Sequence, residues 1–259
     1  MPFTNDKPRI HFEDRGAGEP ALVFLHYWGG SSRTWRHVID RLDNQFRTVA
    51  LDQRGWGQSD ASEKGYALAD MADDAERLIA SLGLSRYVLV GHSMGGKVAQ
   101  LIASRHPAGL VGLVLVASAP PTPLALEGPA RDMMATAYDT RESVEATIDH
   151  VLTASTLGQT DRQQIITDSL GGAAQAKRAW PAQSSGEDIT AATQAINVPV
   201  AVVSGEGDRV DTVDTVRAKL LPHLKHHRFT VLSGVGHLLP LEAPTEIAGL
   251  IAAFVASVK

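Results

Sequence analysis

The stretch Tyr87-Val88-Leu89-Val90-Gly91-His92-Ser93-Met94-Gly95-Gly96-Lys97-Val98-Ala99-Gln100-Leu101-Ile102 decides how this chain is read. A short apolar β-branched run meets a glycine-rich turn, and the turn leads into apolar spacing at Val98, Leu101 and Ile102, a helical face. The order is strand, sharp turn, helix, with a serine at the apex. Such a serine must adopt a strained backbone for its hydroxyl to project above the sheet edge. Glycines two residues before and two after it remove the Cβ atoms that would obstruct the turn. The helix that follows presents its free N–H groups and positive end to the serine, and the Met94 N–H can donate to a developing oxyanion. The spacing is not that of a dinucleotide-binding G-x-G-x-x-G loop, and Lys97 is misplaced for a phosphate-binding P-loop.

Outward from this segment the same rhythm repeats. Apolar runs at Ala21–Leu25, Arg47–Leu51, Tyr87–Val90, Val111–Val116, Val200–Ser204 and His227–Leu232 read as strands covered on both faces. Arg9–Asp14 alternates and suits an antiparallel strand ahead of them. Helical patterns lie between, at Leu68–Leu82 with Met71, Ala75, Leu78 and Ile79 inward, and from Pro244 to about Ser257. The alternation predicts an α/β chain with a mostly parallel central sheet flanked by helices. It breaks at Ala119-Pro120-Pro121-Thr122-Pro123 and resumes at Val198. The residues between, with helical stretches expected at Glu142–Leu152 and Asp161–Trp180, are more than a crossover helix requires. The expected organisation is a core of residues 1–120 and 193–259 with a helical lid at 121–192.

Bulk properties narrow the partners. The chain has 259 residues, a formal net charge of −5 and no cysteine. Disulfides, cysteine nucleophiles and thiolate metal sites are excluded. The one basic cluster, His223, Lys225, His226, His227 and Arg228, is too small for a nucleic-acid footprint and reads as a solvated patch, with no second ligand set for a metal. The start MPFTNDKPRI lacks the apolar core of a secretory signal, and the longest apolar stretch is too short for a membrane span. The expectation is a cytoplasmic protein with no nucleic-acid or membrane partner, no metal and no organic cofactor; its oligomeric state is not readable.

A serine nucleophile needs a base, and the base an orienting acid. The strand at Val200–Ser204 runs into Gly205-Glu206-Gly207-Asp208-Arg209, and the one at His227–Leu232 into Ser233-Gly234-Val235-Gly236-His237. Both loops can reach over a sheet edge. Asp208 competes with Glu206, a surface charge on the alternative reading, with Asp214, and with Asp211, which reads as the N-cap of a helix over Thr212–Leu221. His11, His37, His106 and His150 fall in strand or helix positions and suit packing or surface roles, whereas His237, in a glycine-rich loop before the last helix, is the candidate base.

At this point the chain resembles the α/β-hydrolase superfamily from end to end, and within it the cofactor-free esterase and perhydrolase branch that includes the non-haem haloperoxidases. Four segments carry the resemblance: His26 to Gly30, Asp52-Gln53-Arg54-Gly55-Trp56-Gly57-Gln58-Ser59, Gly91 to Gly96, and the pair Gly205–Asp208 with Gly236-His237. It implies an α/β-hydrolase fold and the chain order serine, acid, histidine, met by Ser93, Asp208 and His237. It implies a second oxyanion donor two residues after His26, the Trp28 N–H, and a structural turn at Asp52–Gly55. Tyr27 stands where the family usually has glycine, which narrows the backbone there and puts a phenol near the pocket. A proline often found after the acid is also missing. Ser93 argues against haloalkane dehalogenases and epoxide hydrolases, which use aspartate at that position.

The resulting expectation is a serine carboxylesterase-like hydrolase acting through an acyl-enzyme on small neutral carboxylic esters, aryl esters and lactones included, with perhydrolysis as a side reaction. Tyr27, Trp28, Met133, Met134, Tyr138, Trp180 and Leu238 are the candidate pocket residues, Leu124 beside them, and no Arg or Lys is aimed at a charged substrate. The same triad could serve C–C bond, lactam or amide hydrolysis or a hydroxynitrile lyase, and the same fold a small-molecule receptor with little turnover.

Overall fold

In a computed structural model of the chain, residues 2–124 and 128–258 are described. Residues 125–127, inside the span expected to form the lid, lie outside the described residues, as do residues 1 and 259 of the expected core. The strands are β1 (Phe12–Arg15), β2 (Ala21–Leu25), β3 (Thr48–Leu51), β4 (Tyr87–His92), β5 (Leu110–Val116), β6 (Val200–Gly205) and β7 (His227–Leu232). They form one seven-stranded sheet in the order β1-β3-β2-β4-β5-β6-β7. Only β1 is antiparallel, pairing Phe12 with Leu51; all other pairings are parallel.

The helices are α1 (Arg36–Leu42), α2 (Leu68–Ser81), α3 (Met94–Ser104), α4 (Pro129–Thr136), α5 (Arg141–Thr147), α6 (Gln159–Gly171), α7 (Ala174–Ala182), α8 (Thr190–Ala195), α9 (Val213–Lys219), α10 (Leu239–Glu242) and α11 (Pro244–Ser257). Successive strand residues point to opposite faces, so the core divides in two. Val23, Leu25, Leu89, Leu113 and Leu115 face Met71, Leu78, Val98 and Ile102 of α2 and α3. Leu22, Phe24, Val88, Val90 and Val114 face Val38 and Ile39 of α1 and Ile251 and Phe254 of α11. Burial on both sides explains why these strands read as continuous apolar runs.

Between β5 and β6 the described residues carry helices and no strand, in keeping with the helical reading of that span. Two details differ from expectation. The stretch Asp161–Trp180 is not one helix but α6 and α7, broken at Gly172, where the ring of Trp56 packs so closely that a Cβ would lie 2.6 Å from its Cε3. The stretch Glu142–Leu152 is α5 continued by a π-helical turn over Ile148–Leu152. Because β2 to β7 are parallel, the loops after their carboxyl ends gather at one sheet edge, where ligands bind in open α/β sheets. Among the described residues no helix is long and apolar enough to cross a membrane.

Candidate active site

Ser93 sits at the β4–α3 junction with φ 52° and ψ −115°, a region that L-residues avoid because Cβ crowds the backbone. The backbone around it holds it there. Ser93 N–H donates to Val116 O at 3.1 Å, while its own carbonyl accepts from Gly96, Lys97 and Ala119 N–H at 2.9, 3.1 and 3.2 Å. The flanking glycines are required by close approach: a Cβ on Gly95 would lie 2.6 Å from the carbonyl oxygens of Leu25 and His26, and one on Gly91 would lie 2.5 Å from Gly95 O. The turn is therefore wedged between α3 and the end of β2.

Asp208 lies in the loop after β6 and His237 in the loop after β7. His237 Nδ1 donates to Asp208 Oδ2 at 2.9 Å, with side-chain exposures of 2% and 0%. Asp208 Oδ1 accepts from Val210 and Asp211 N–H at 2.8 and 3.1 Å, which fixes the carboxylate plane. Burial disfavours protonated His237, but the charge and hydrogen bond of Asp208, with Asp211 and Glu242 behind it, outweigh burial and raise its pKa. The His237 loop is also pinned through its backbone. Its N–H and that of Leu238 donate to Leu152 O at 2.9 and 3.1 Å, and its carbonyl accepts from His92 Nε2 at 2.8 Å. Burial drives the pKa of His92 far down, so His92 is neutral. Glu242 takes Gly236 N–H at 3.1 Å and Ala154 N–H, Ser155 N–H and Ser155 Oγ at 2.9 Å each. One carboxylate thus joins the His237 loop to the end of the π-helical turn.

The loop after β2 is held from both sides. Gln53 N–H donates to His26 Nε2 at 2.9 Å, Gln53 Nε2 donates to His26 O at 2.7 Å, and His26 Nδ1 donates to Tyr27 O at 2.7 Å. His26 is thus a neutral, fully buried strut, its pKa lowered by burial. Arg54 binds Asp74 and the carbonyls of Gly65 and Asp70, so the Asp52–Gly55 turn makes structural contacts. From the opposite side the Tyr138 hydroxyl donates to Trp28 O at 2.9 Å and Ser169 Oγ to Gly29 O at 2.9 Å. Tyr27 has a negative φ, the left-handed position falling to Gly29 at φ 97°. Its ring is buried against His92, centroids 5.2 Å apart, and burial raises its phenol pKa well above the usual value. The Trp28 and Met94 N–H groups find no acceptor among the described residues.

A cavity of about 320 Å³ opens over these loops. Ser93 and His237 line it together with Tyr27, Trp28, Met133, Met134, Tyr138 and Trp180. Leu238 does not: it is fully buried in the core, because its neighbour His237 takes the cavity side of the loop. A second, smaller cavity of about 30 Å³ also reaches Ser93, and its walls include Lys97, to which the sequence assigned no role, and Asp211, which it read as a helix N-cap. Lys97 is buried in α3, with Nζ donating to Thr122 O and Ser185 O at 3.1 Å each; burial lowers its pKa to about 8. Asp211 is not the N-cap of α9. Thr212 caps it, its Oγ1 accepting from Thr215 N–H at 3.2 Å, and this leaves Asp211 turned inward. Burial pushes the Asp211 carboxyl up to about 7.

Residues 20–244 match the family model described as alpha/beta hydrolase fold. The chain is 28% identical to the AB hydrolase superfamily protein YisY of Bacillus subtilis, covering 97% of each. It is 28% identical to a non-heme haloperoxidase of Rhodococcus erythropolis, covering 92% of this chain and 93% of the relative. Its backbone superimposes on an esterase from Exiguobacterium antarcticum with a TM-score of 0.87 at 23% identity, covering 96% of each chain.

Proposed function

This chain belongs to the α/β-hydrolase family, and from that premise we propose that it is a serine hydrolase cleaving small neutral carboxylic esters. One observation carries the reading. The strained Ser93 and His237 line a single cavity, and His237 is bonded through Nδ1 to the buried Asp208. Nδ1 holds its proton against Asp208, so Nε2 is the free base.

Ser93 Oγ attacks the ester carbonyl carbon as its proton passes to His237 Nε2. The carbonyl electron pair moves onto oxygen, which the Met94 and Trp28 N–H groups receive. Those two amides have no competing acceptor among the described residues, as an oxyanion hole requires. The carbonyl pair returns, the C–O bond to the alcohol breaks, and His237 hands the proton to the departing oxygen. Water then repeats the cycle on the acyl-enzyme, releasing the acid and restoring Ser93. The walls of the larger cavity are mainly apolar, with Met133, Met134, Trp28 and Trp180 among them, which favours a neutral substrate.

The test is labelling with a fluorophosphonate, read by peptide mass spectrometry, beside turnover of a p-nitrophenyl ester chain-length series. An adduct on Ser93 with turnover of the short esters is expected, and a Ser93→Ala variant should lose both. Turnover surviving in that variant would overturn the scheme.

A further inference from the structure

Ser93 stands where two cavities meet that share Leu124, Met134, Trp180 and Val210 as walls. The larger is mainly apolar and includes His237 in its wall. The smaller does not touch His237, and beside Ser93 four polar residues line it: Lys97, Thr122, Ser185 and Asp211. Lys97, Thr122 and Asp211 have hydrogen-bonding capacity unspent among the described residues. The Lys97 ammonium has three N–H donors and uses two, on Thr122 O and Ser185 O. Thr122 Oγ1 is buried without a partner. The Asp211 carboxyl is buried with charges around it but no side-chain hydrogen bond. A buried hydroxyl left unmatched is costly, so Thr122 Oγ1, with the spare Lys97 donor and the Asp211 carboxyl around the same small space, points to a guest that matches it.

The two arms of an ester can be assigned to the two cavities. His237 must reach the departing oxygen to protonate it, so the alcohol lies on the His237 side, in the larger cavity. The acyl arm is left the smaller one. Its volume of about 30 Å³ is room for one or two water-sized groups. A hydroxyl matches its chemistry, because it accepts from the Lys97 ammonium while donating to Asp211 or Thr122. We infer that the small cavity is the acyl subsite and that it selects short hydroxyacyl groups, with two heavy atoms beyond the carbonyl carbon and a terminal hydroxyl seated between Lys97, Thr122 and Asp211. The inference rests on the esterase reading above.

The test compares p-nitrophenyl hydroxyacetate with p-nitrophenyl propionate, whose acyl groups have equal numbers of heavy atoms. The ratio of their kcat/KM values is measured in the wild type, in Lys97→Met and in Thr122→Val. Intrinsic reactivity differs between the esters but cancels when one ratio is compared across the proteins. The preference for hydroxyacetate should fall by roughly tenfold or more in Lys97→Met, the effect of losing a hydrogen bond to a charged group, and by a few-fold in Thr122→Val. A ratio within about twofold of wild type in both variants, less than one hydrogen bond contributes, would overturn the subsite and leave the cavity to ordered water. If Lys97→Met does not fold, Thr122→Val decides alone. Failure of the wild type to hydrolyse either ester would instead refute the esterase reading, and the subsite with it.

Discussion

Replacing Ser93 by glycine should make the protein more stable while destroying its activity. At φ 52° and ψ −115° the serine lies outside even the left-handed helical region, and strain of this kind costs about 1–3 kcal/mol. Glycine removes the Cβ that causes it. Against this gain stands the greater freedom of glycine in the unfolded chain, about 0.5–1 kcal/mol. The control is Ser93→Ala, which deletes the hydroxyl but keeps the Cβ and hence the strain. The difference of these terms runs from about 0 to 2.5 kcal/mol, and its middle puts the glycine variant above the alanine variant by about 1 kcal/mol, which for a chain this long is a rise of ~2–4 °C in Tm. Differential scanning calorimetry on the two inactive variants measures that difference, with urea unfolding as an independent check. A glycine variant that melts at or below the alanine variant would refute the argument, and would mean that the turn is relaxed and its backbone bonds alone set its shape.

Asp208→Asn should lower kcat by about 10³–10⁴, by analogy with the matching substitution in the serine protease triad, and leave the fold intact. Its pH profile should also move. The base works only when neutral, so activity is lost as pH falls through the raised His237 pKa; removing the Asp208 charge lowers that pKa and shifts the acid limb of kcat/KM to lower pH, whereas an unmoved limb would detach His237 from Asp208. Gly95→Ala forces a Cβ to 2.6 Å from the backbone oxygens of Leu25 and His26, and urea unfolding should show a loss of about 1–3 kcal/mol or more. Glu242→Ala leaves Gly236, Ala154 and Ser155 donors without their acceptor and should cost about 1–3 kcal/mol, with kcat falling more than KM rises; unaltered kinetics would show that the His237 loop holds its geometry without the clamp.

The sheet was legible because burial on both faces leaves little choice of residue. Ala21–Leu25, buried throughout, is a strand to the residue; the edge strand His227–Leu232 is also one to the residue although none of it is buried, and the last helix opens at Pro244 as its proline indicates. The Ser93 turn was legible because steric exclusion demands glycine at Gly91 and Gly95. Lys97 and Asp211 were not, because their roles depend on what packs over them. Lys97 and Gln100 stand one turn apart on α3, and α8 and the loop at Ser185 cover them: Thr193 Oγ1 donates to Gln100 Oε1 at 3.2 Å, and Lys97 reaches Ser185. Asp211 was misread by one position, since aspartate and threonine both cap helices and only the packing shows that Thr212 does so. Leu238 was misread for a similar reason: adjacent residues of an irregular loop have no fixed periodicity to say which one faces the cavity.

The bonds that join Leu152 to the His237 loop, and Ala154 and Ser155 to Glu242, divide the segment between β5 and β6 into parts of unequal evolutionary freedom. Substitutions at Thr153–Ser155 would shift the His237 loop, so on the proposed mechanism drift there is checked by the chemistry itself. Met133, on α4, is 66% exposed and still lines the larger cavity. It can vary without disturbing any bond that holds Ser93, Asp208 or His237. A laboratory library confined to α4 should therefore diversify substrate preference with few inactive members, whereas one spread over residues 152–155 should lose mostly catalysts.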